Sequence, residues 1–400
     1  MLTSGLPQGM RDAVDFELTE QQELFAKTVH DWVEREAPKS WARELERDEA
    51  HFPHELWRKF SAAGFYGMGI PEEYGGQGGD IFSQMLLARG LSRSLAGLTW
   101  VWGIASFAGG KSVGLYGTEE QKRAHLPAIA EGREKWAIAF TEPGGGTDVL
   151  GAMRTRAKKV EGGWLVSGQK TWSSMAHVAD YILLLARTSD YTEKRHQGVS
   201  LFILPAKSEG VTIREIPKLG MRALGSCEIY LDEVFIPDEN ILGEPDRAWY
   251  MLLPTLNNER ILLSAFCVGI MDGVLEDALR YAMERDAFGG PIGRFQAIQH
   301  HIANIAMWRD QAELMVYRAA WLQSLGRPCG QETNMAKVVC SELAGQAADL
   351  GLQILGGMGY SAETDMQRYW RDARLFRIGP VTNEMARNGI AESLGLPRSF

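Results

Sequence analysis

The chain of 400 residues contains no apolar run approaching the roughly 20 residues that a membrane helix needs, so no membrane span is expected. It also shows no charged stretch leading into an apolar one, so no secretory signal is expected. Cysteine is scarce. Cys227, Cys267, Cys329 and Cys340 are scattered without metal-ligand spacing and read as reduced core thiols, which places the protein in the cytoplasm. The eight histidines form one cluster, His300-His301, and adjacent helical positions face apart, so no metal site is expected. Basic charge is in deficit. A net charge of −9 argues against a nucleic-acid or anionic-membrane surface, which would need clustered Lys and Arg. Repeats and low-complexity segments are absent.

What is present is apolar volume. With 45% hydrophobic residues, the chain can bury a large core, and its length suggests two or three domains. Met1–Val14 reads as a loose polar leader, with structure starting near Asp15. From Thr19 to about Gln121 the pattern is helical. Thr19 and Gln22 are spaced as a capping box, and Leu24, Phe25, Val29, Trp32 and Val33 form a predicted apolar stripe. Pro38, Pro53 and Pro71 punctuate the helices, and the Gly75–Gly79 turn is either a connector or part of a substrate entrance.

Between about Trp136 and Pro237 the texture changes to strands. The candidates are Trp136–Thr141, Trp164–Val166, Tyr181–Ala186, Val199–Leu204, Val211–Ile216 and Glu228–Ile236, with Gly162-Gly163 as a hairpin signal. Tyr191–His196 is a charged, solvated loop. Long helices return from about Ala248. Leu262, Phe266, Ile270, Val274 and Leu279 predict one ending before Gly289. Ile298, Ile302, Ile305, Trp308 and Leu314 predict a second, and Leu343–Leu355 a third. The expected domains are 15–125 (all α), 126–240 (β) and 241–400 (helical bundle), an α+β chain with helical layers at each end.

The apolar strand from Trp136 runs into Thr141-Glu142-Pro143-Gly144-Gly145-Gly146-Thr147-Asp148. Glycines there allow bare backbone N–H groups to approach something flat or anionic. Gly168-Gln169-Lys170-Thr171-Trp172-Ser173-Ser174 then sets an aromatic plane beside hydroxyls. Arg285-Asp286-Ala287-Phe288-Gly289 follows, with Pro291-Ile292, Phe295 and Gln296. Near the end come Gln353–Tyr360, Arg371-Asp372-Ala373-Arg374 and Thr382-Asn383-Glu384. In this order and at these separations the set resembles the acyl-CoA dehydrogenase family of FAD flavoproteins, from about Phe16 to Glu392.

The resemblance implies FAD as cofactor and an acyl-CoA substrate. It also implies an electron-transfer flavoprotein as partner, a homotetramer and a place in fatty acid metabolism. The implied fold is an N-terminal helical domain, a central β-barrel-like domain and a C-terminal helical bundle. By carry-over, Trp172 and Ser174 lie against the isoalloxazine, Phe140 and Thr141 face its pyrimidine side, and Thr147 lies at the pyrophosphate and near the substrate. Arg285, Phe288, Gln296, Gln353 and Gly357 would reach the FAD of a neighbouring subunit, with Thr382 also binding FAD and Glu384 contacting its adenosine part. An arginine fork suits a pyrophosphate. Each position also has a plainer reading: Trp172 as core, Arg285 as a charge at a helix end. Trp100, Trp102 and Phe107 are either core or lining of the acyl pocket.

The family's reaction removes an α-proton from the acyl thioester while the β-hydrogen leaves as hydride, giving a trans-2-enoyl thioester. It needs an electron sink, a carboxylate base and donors for the thioester oxygen. Many members carry the base in a Glu-Gly-Thr segment shortly after Arg-Asp-Ala. Here Ile378-Gly379-Pro380-Val381-Thr382 has proline and valine in place of that glutamate and glycine. Members resembling isovaleryl- and long-chain acyl-CoA dehydrogenases carry the base before an arginine on the first C-terminal helix. That points to Glu259 as the catalytic base and Arg260 as its neighbour near the substrate, although Glu259 also suits an ordinary helix start. Pro380 lacks the N–H that would hold the thioester oxygen, so a neighbouring amide such as that of Val381 must substitute, or the chemistry is altered. Oxidation of a carrier-protein acyl group, flavin-dependent oxygenation and a non-catalytic acyl-CoA-binding subunit remain alternatives on the same fold.

Overall fold

A computed structural model describes residues 17–47, 51–190 and 194–398. The expected leader Met1–Val14, the start near Asp15 and part of the Tyr191–His196 loop fall outside them. The first helix, α1 (Glu20–Glu36), begins at the predicted capping box: Gln22 N–H donates to Thr19 Oγ1 at 3.3 Å and Thr19 N–H to Gln22 Oε1 at 2.9 Å. Its buried stripe comprises Val29 and Val33, with Phe25 and Trp32 packed alongside. Leu24, expected on that stripe, is exposed, because it lies about 100° round the helix from Phe25. There follow α2 (Lys39–Leu45), α3 (His54–Ala62), α4 (Ile81–Leu95), α5 (Trp100–Ala105), α6 (Ser112–Tyr116) and α7 (Glu119–Ala130).

The central sheet has eight strands: β1 (Trp136–Ala139), β2 (Arg156–Val160), β3 (Gly163–Ser174), β4 (Tyr181–Arg187), β5 (Val199–Pro205), β6 (Val211–Glu215), β7 (Ser226–Pro237) and β8 (Ile241–Leu242). Their order is β6-β7-β3-β2-β4-β5-β8, with β1 parallel to β4. β4 and β5 are almost wholly buried and read as continuous apolar runs. The charged Arg156–Val160 is a strand that the pattern did not announce, since one of its faces meets solvent. Gly162, at φ +73°, turns the β2–β3 hairpin.

The C-terminal part contains α8 (Ala248–Glu284), α9 (Gln296–Ser324), α10 (Gly330–Leu355), α11 (Gly357–Tyr360), α12 (Met366–Leu375) and α13 (Asn383–Ser393). The three long helices lie where the periodicity predicts them. α8 packs on α4 as well as on α9 and α10, so the helices at the two ends of the chain share one core containing Leu87, Leu91, Val268 and Met271.

Two buried carboxylates tie the three parts together. Glu46, just past α2, accepts from the amides of Arg222 (2.9 Å) and Ala223 (2.8 Å) in the turn before β7. Asp372 of α12 accepts from Met221 (2.8 Å) in the same turn and from Gly97 (3.0 Å) after α4. Among the described residues no helix is long and apolar enough to cross a membrane, and no cluster of His, Cys, Asp and Glu could hold a metal ion.

Candidate functional site

The glycine-rich turn leaves β1 beside the end of β3. Thr171 N–H donates to Thr141 O at 2.9 Å, so Phe140 and Thr141 are brought against the Lys170–Ser174 segment. Pairing of β3 with β7 is irregular between Lys170 and Ser173, and Trp172 within that bulge has φ +59°. A left-handed backbone at a tryptophan is strained, and the bulge turns its indole away from the sheet, leaving it 59% exposed. Ser174 pairs with Ser226 on β7.

Beneath this surface lies a buried ion pair. Lys170 Nζ donates to Glu142 Oε1 at 2.9 Å and to Phe140 O at 3.0 Å. Glu142 also accepts from the amides of Arg154 (2.6 Å) and Thr155 (2.9 Å). Burial pulls the Lys170 ammonium down to about 8. Burial works against the Glu142 carboxylate as well, but Lys170 and the two amides outweigh it and hold the group below its ordinary value. Sequence reasoning assigned no role to either residue. The available signal was a lysine two residues before an aromatic in a strand-like segment.

The turn fits an anionic, flat cofactor. Gly145 is obligatory, since a Cβ there would meet Ala152 Cβ at 2.4 Å, whereas Cβ atoms at Gly144 and Gly146 would face open space. The backbone around them is free to approach a ligand, and Thr147 is exposed at its end. An exposed indole, open glycine amides and nearby hydroxyls suit the isoalloxazine and pyrophosphate of FAD.

Glu259 sits on α8 and is only 6% exposed. Among the described residues its carboxyl has no hydrogen-bond partner. Burial pushes its pKa up to about 8, against the pull of Arg260. Arg260 is lowered by burial and donates to Asn257 Oδ1 at 3.0 Å, while its buried Nε has no partner among the described residues. Asn257 Oδ1 also accepts from Thr333 Oγ1 at 3.3 Å, and Asn258 Oδ1 accepts from Gln323 Nε2 at 3.0 Å.

Glu384, the rival carboxylate, is exposed in the first turn of α13, where Thr382 caps the helix by accepting from Met385 N–H at 3.2 Å. The helix-terminal amide and Thr382 hold it below the ordinary carboxylate range. In the preceding turn, Val381 has φ +63°, and among the described residues its amide has no acceptor. A β-branched residue rarely adopts that conformation.

The remaining candidates lie on the surface. Arg285, Gln296, Gln353 and Gly357 are exposed, and Phe288 is 91% exposed, its ring edge-on to Phe295 at 6.0 Å between centroids and its carbonyl accepting from Arg294. No hydrogen bond or ring contact among the described residues links these five to the Trp172 segment within the protomer. Trp100 and Phe266 meet edge-on at 5.4 Å, with Gly103 between them. Phe266 lies seven residues after Glu259, on the same face of α8. Two surface cavities, about 400 Å³ beside Met153 and Arg187 and about 320 Å³ beside Leu45 and Phe52, involve neither Glu259 nor Trp172.

Three family models match this chain: the acyl-CoA dehydrogenase N-terminal domain over residues 19–133, the middle domain over 137–234 and the C-terminal domain over 246–395. A probable acyl-CoA dehydrogenase of Bacillus subtilis is 36% identical over 385 residues, 95% of this chain and all of that protein. A subunit of the caffeyl-CoA reductase–Etf complex of Acetobacterium woodii is 35% identical over 94% of this chain and 98% of that one. Among solved structures, butyryl-CoA dehydrogenase of Megasphaera elsdenii is 30% identical with a TM-score of 0.89, covering 95% of this chain and 99% of that one.

Proposed function

Since this chain belongs to the acyl-CoA dehydrogenase family, an oxidoreductase family that uses FAD, we propose that Glu259 is the base that removes the α-proton of an acyl-CoA, which leaves as a trans-2-enoyl-CoA. FAD supplies the two-electron acceptor for the β-hydrogen. The carrying observation is the contrast between two carboxylates: Glu259 is buried, free of hydrogen bonds and raised to about 8, whereas Glu384 is exposed and lowered. An α-proton is a weak acid, so a base with a raised pKa takes it more readily, and burial supplies that rise without a second carboxylate. Arg260 keeps positive charge beside the base as the carboxylate forms.

Trp172, Ser174, Phe140 and Thr141 would hold the isoalloxazine, with Thr147 at the pyrophosphate. The Val381 N–H, unpartnered and turned by its left-handed backbone, is the donor that replaces the one Pro380 lacks at the thioester oxygen. The exposed Arg285, Phe288, Gln296, Gln353 and Gly357 fit a homotetramer in which each protomer completes a neighbour's cofactor site, Thr382 also binding FAD and Glu384 lying at its adenosine part. The likeness to an Etf-complex subunit supports an electron-transfer flavoprotein as acceptor. Four buried, unpaired cysteines favour a cytoplasmic protein, acting in fatty acid metabolism with domain seams near residues 125 and 240.

Anaerobic titration with acyl-CoAs graded in length and branching tests this reading. At least one should bleach the flavin and yield its 2-enoyl-CoA. Binding without reduction across the series would instead support the non-catalytic subunit.

A further inference from the structure

Thr333, Lys337 and Ser341 are spaced four residues apart on α10 and share one face of the helix. All three are fully buried. Thr333 Oγ1 shares its one proton between Gly330 O at 3.0 Å and Asn257 Oδ1 at 3.3 Å, the latter being the oxygen that receives Arg260 Nη1 at 3.0 Å. One turn on, Lys337 Nζ donates to Asn383 Oδ1 at 2.5 Å, and Ser341 Oγ shares its proton between that oxygen at 3.1 Å and Val338 O at 3.2 Å. Asn383 Nδ2 in turn donates to Glu342 Oε1 at 3.2 Å, and Glu342 pairs with Arg387 at 2.8 Å. One face of α10 therefore grips the segment of α8 that carries Glu259 and the residue that ends the Gly379–Thr382 turn.

Packing alone does not call for an ammonium at this place. A methionine would fill the same volume without the desolvation that lowers Lys337 to about 8. What an ammonium and two hydroxyls add is direction: the ammonium aims its hydrogen bond at Asn383, and each hydroxyl stands within reach of an atom of the candidate site's framework. We infer that this stripe, with Lys337 at its centre, is a positioning device that holds the base segment and the thioester-receiving turn at one fixed spacing. The inference rests on the roles proposed above for Glu259 and Val381. Lys337 touches no reacting atom in this account and acts through Asn383.

The test uses three variants of the full-length, FAD-loaded protein: Lys337→Met, Thr333→Val and Asn383→Asp. Anaerobic stopped-flow measures the limiting rate of flavin reduction and the acyl-CoA Kd together. Lys337→Met should lower the limiting rate about 10–100-fold, the usual cost of a small misplacement. Its FAD occupancy should stay normal and its Kd within about threefold. Thr333→Val should show the same split at smaller size. Asn383→Asp keeps an acceptor for the ammonium but replaces the Nδ2 donor to Glu342 by a carboxylate oxygen, so it should lower the limiting rate, though less than Lys337→Met does.

A merely structural stripe would lower melting temperature and FAD occupancy while leaving the limiting rate of loaded enzyme within about twofold, and that result overturns the inference. Should Lys337→Met fail to fold, Thr333→Val decides, because it exchanges one hydroxyl for a methyl at constant shape. Amide exchange at Gly379 and Asn383, which flank the turn and donate to Leu375 O and Arg377 O, provides an arm independent of turnover. Thr333→Val, remote from that turn in the chain, should speed it about threefold or more if the stripe is one unit, and unchanged exchange counts against it. Failure of the wild type to be reduced by any acyl-CoA would sink the proposed function instead, leaving the exchange arm to judge the stripe.

Discussion

Replacing Glu259 by Gln preserves shape and removes the base. With its pKa near 8, the free enzyme holds this carboxyl about one-tenth ionised at pH 7 and half ionised at pH 8. Second-order flavin reduction by a good acyl-CoA should therefore rise almost tenfold per unit from pH 6 and level off above 8. Glu259→Gln should cut the rate by about 10²–10⁴ and abolish the pH dependence, with FAD content and ligand affinity nearly unchanged.

Stability supplies a second sign. The folded state keeps a proton that the unfolded state releases between 4.5 and about 8, so burial of Glu259 erodes stability as pH rises through that window. At about 1.4 kcal/mol per pH unit the full effect approaches about 5 kcal/mol, and Gln, having no proton to lose, escapes it. Above pH 8 the variant should outlast the wild type in thermal melts while barely reducing flavin. Stopped-flow from pH 6 to 9 and matched melting curves check both arms. A wild-type reduction rate in Glu259→Gln, or a flat wild-type profile, would refute the assignment.

Glu384→Gln should leave the chemical step intact and at most loosen FAD, as read by stopped-flow and flavin release. Arg285→Ala should weaken flavin retention at low FAD and shift the oligomer toward smaller species in light scattering, because a pyrophosphate loses a fork of donors; unchanged retention counts against a subunit-crossing role. Lys170→Met leaves Glu142 buried and unpaired, so it should cost about 3–5 kcal/mol in denaturant unfolding. Adding Glu142→Gln, which removes the buried charge and keeps an acceptor for one of the two amides, should recover part of that loss, and no recovery would mean the unpaired charge is not the source.

Much of the architecture was legible because periodicity reports which face is buried. Thr19 and Gln22 announced their capping box, and the stripe from Leu262 to Val274 announced α8, although Leu279, expected on the same stripe, is exposed. Glu259 could be singled out from the neighbouring Arg260 and from the proline at position 380. Its burial could not, since that depends on helices far away in sequence. The same limit hid Lys170 and Lys337. A lysine in a sequence reads as solvent-facing until its partners, Glu142 in one case and Asn383 in the other, are seen to close over it. Strand β2 escaped notice because three of its five side chains are charged, and the left-handed backbones of Trp172 and Val381 leave no compositional trace.

Glu46 and Asp372 give the chain a property that its three-part pattern conceals. Each part has its own texture, yet the turn at Met221–Ala223 is completed only by carboxylates from the other two, one of which arrives when nearly the whole chain has been made. A fragment stopping short of Asp372 leaves the amides of Met221 and Gly97 without their acceptor, and buried amides without acceptors are costly. The protein is thus modular in its sequence but indivisible in its hydrogen bonding. The strand layer that presents Trp172 and the helices that present Glu259 reach their final register only as one body.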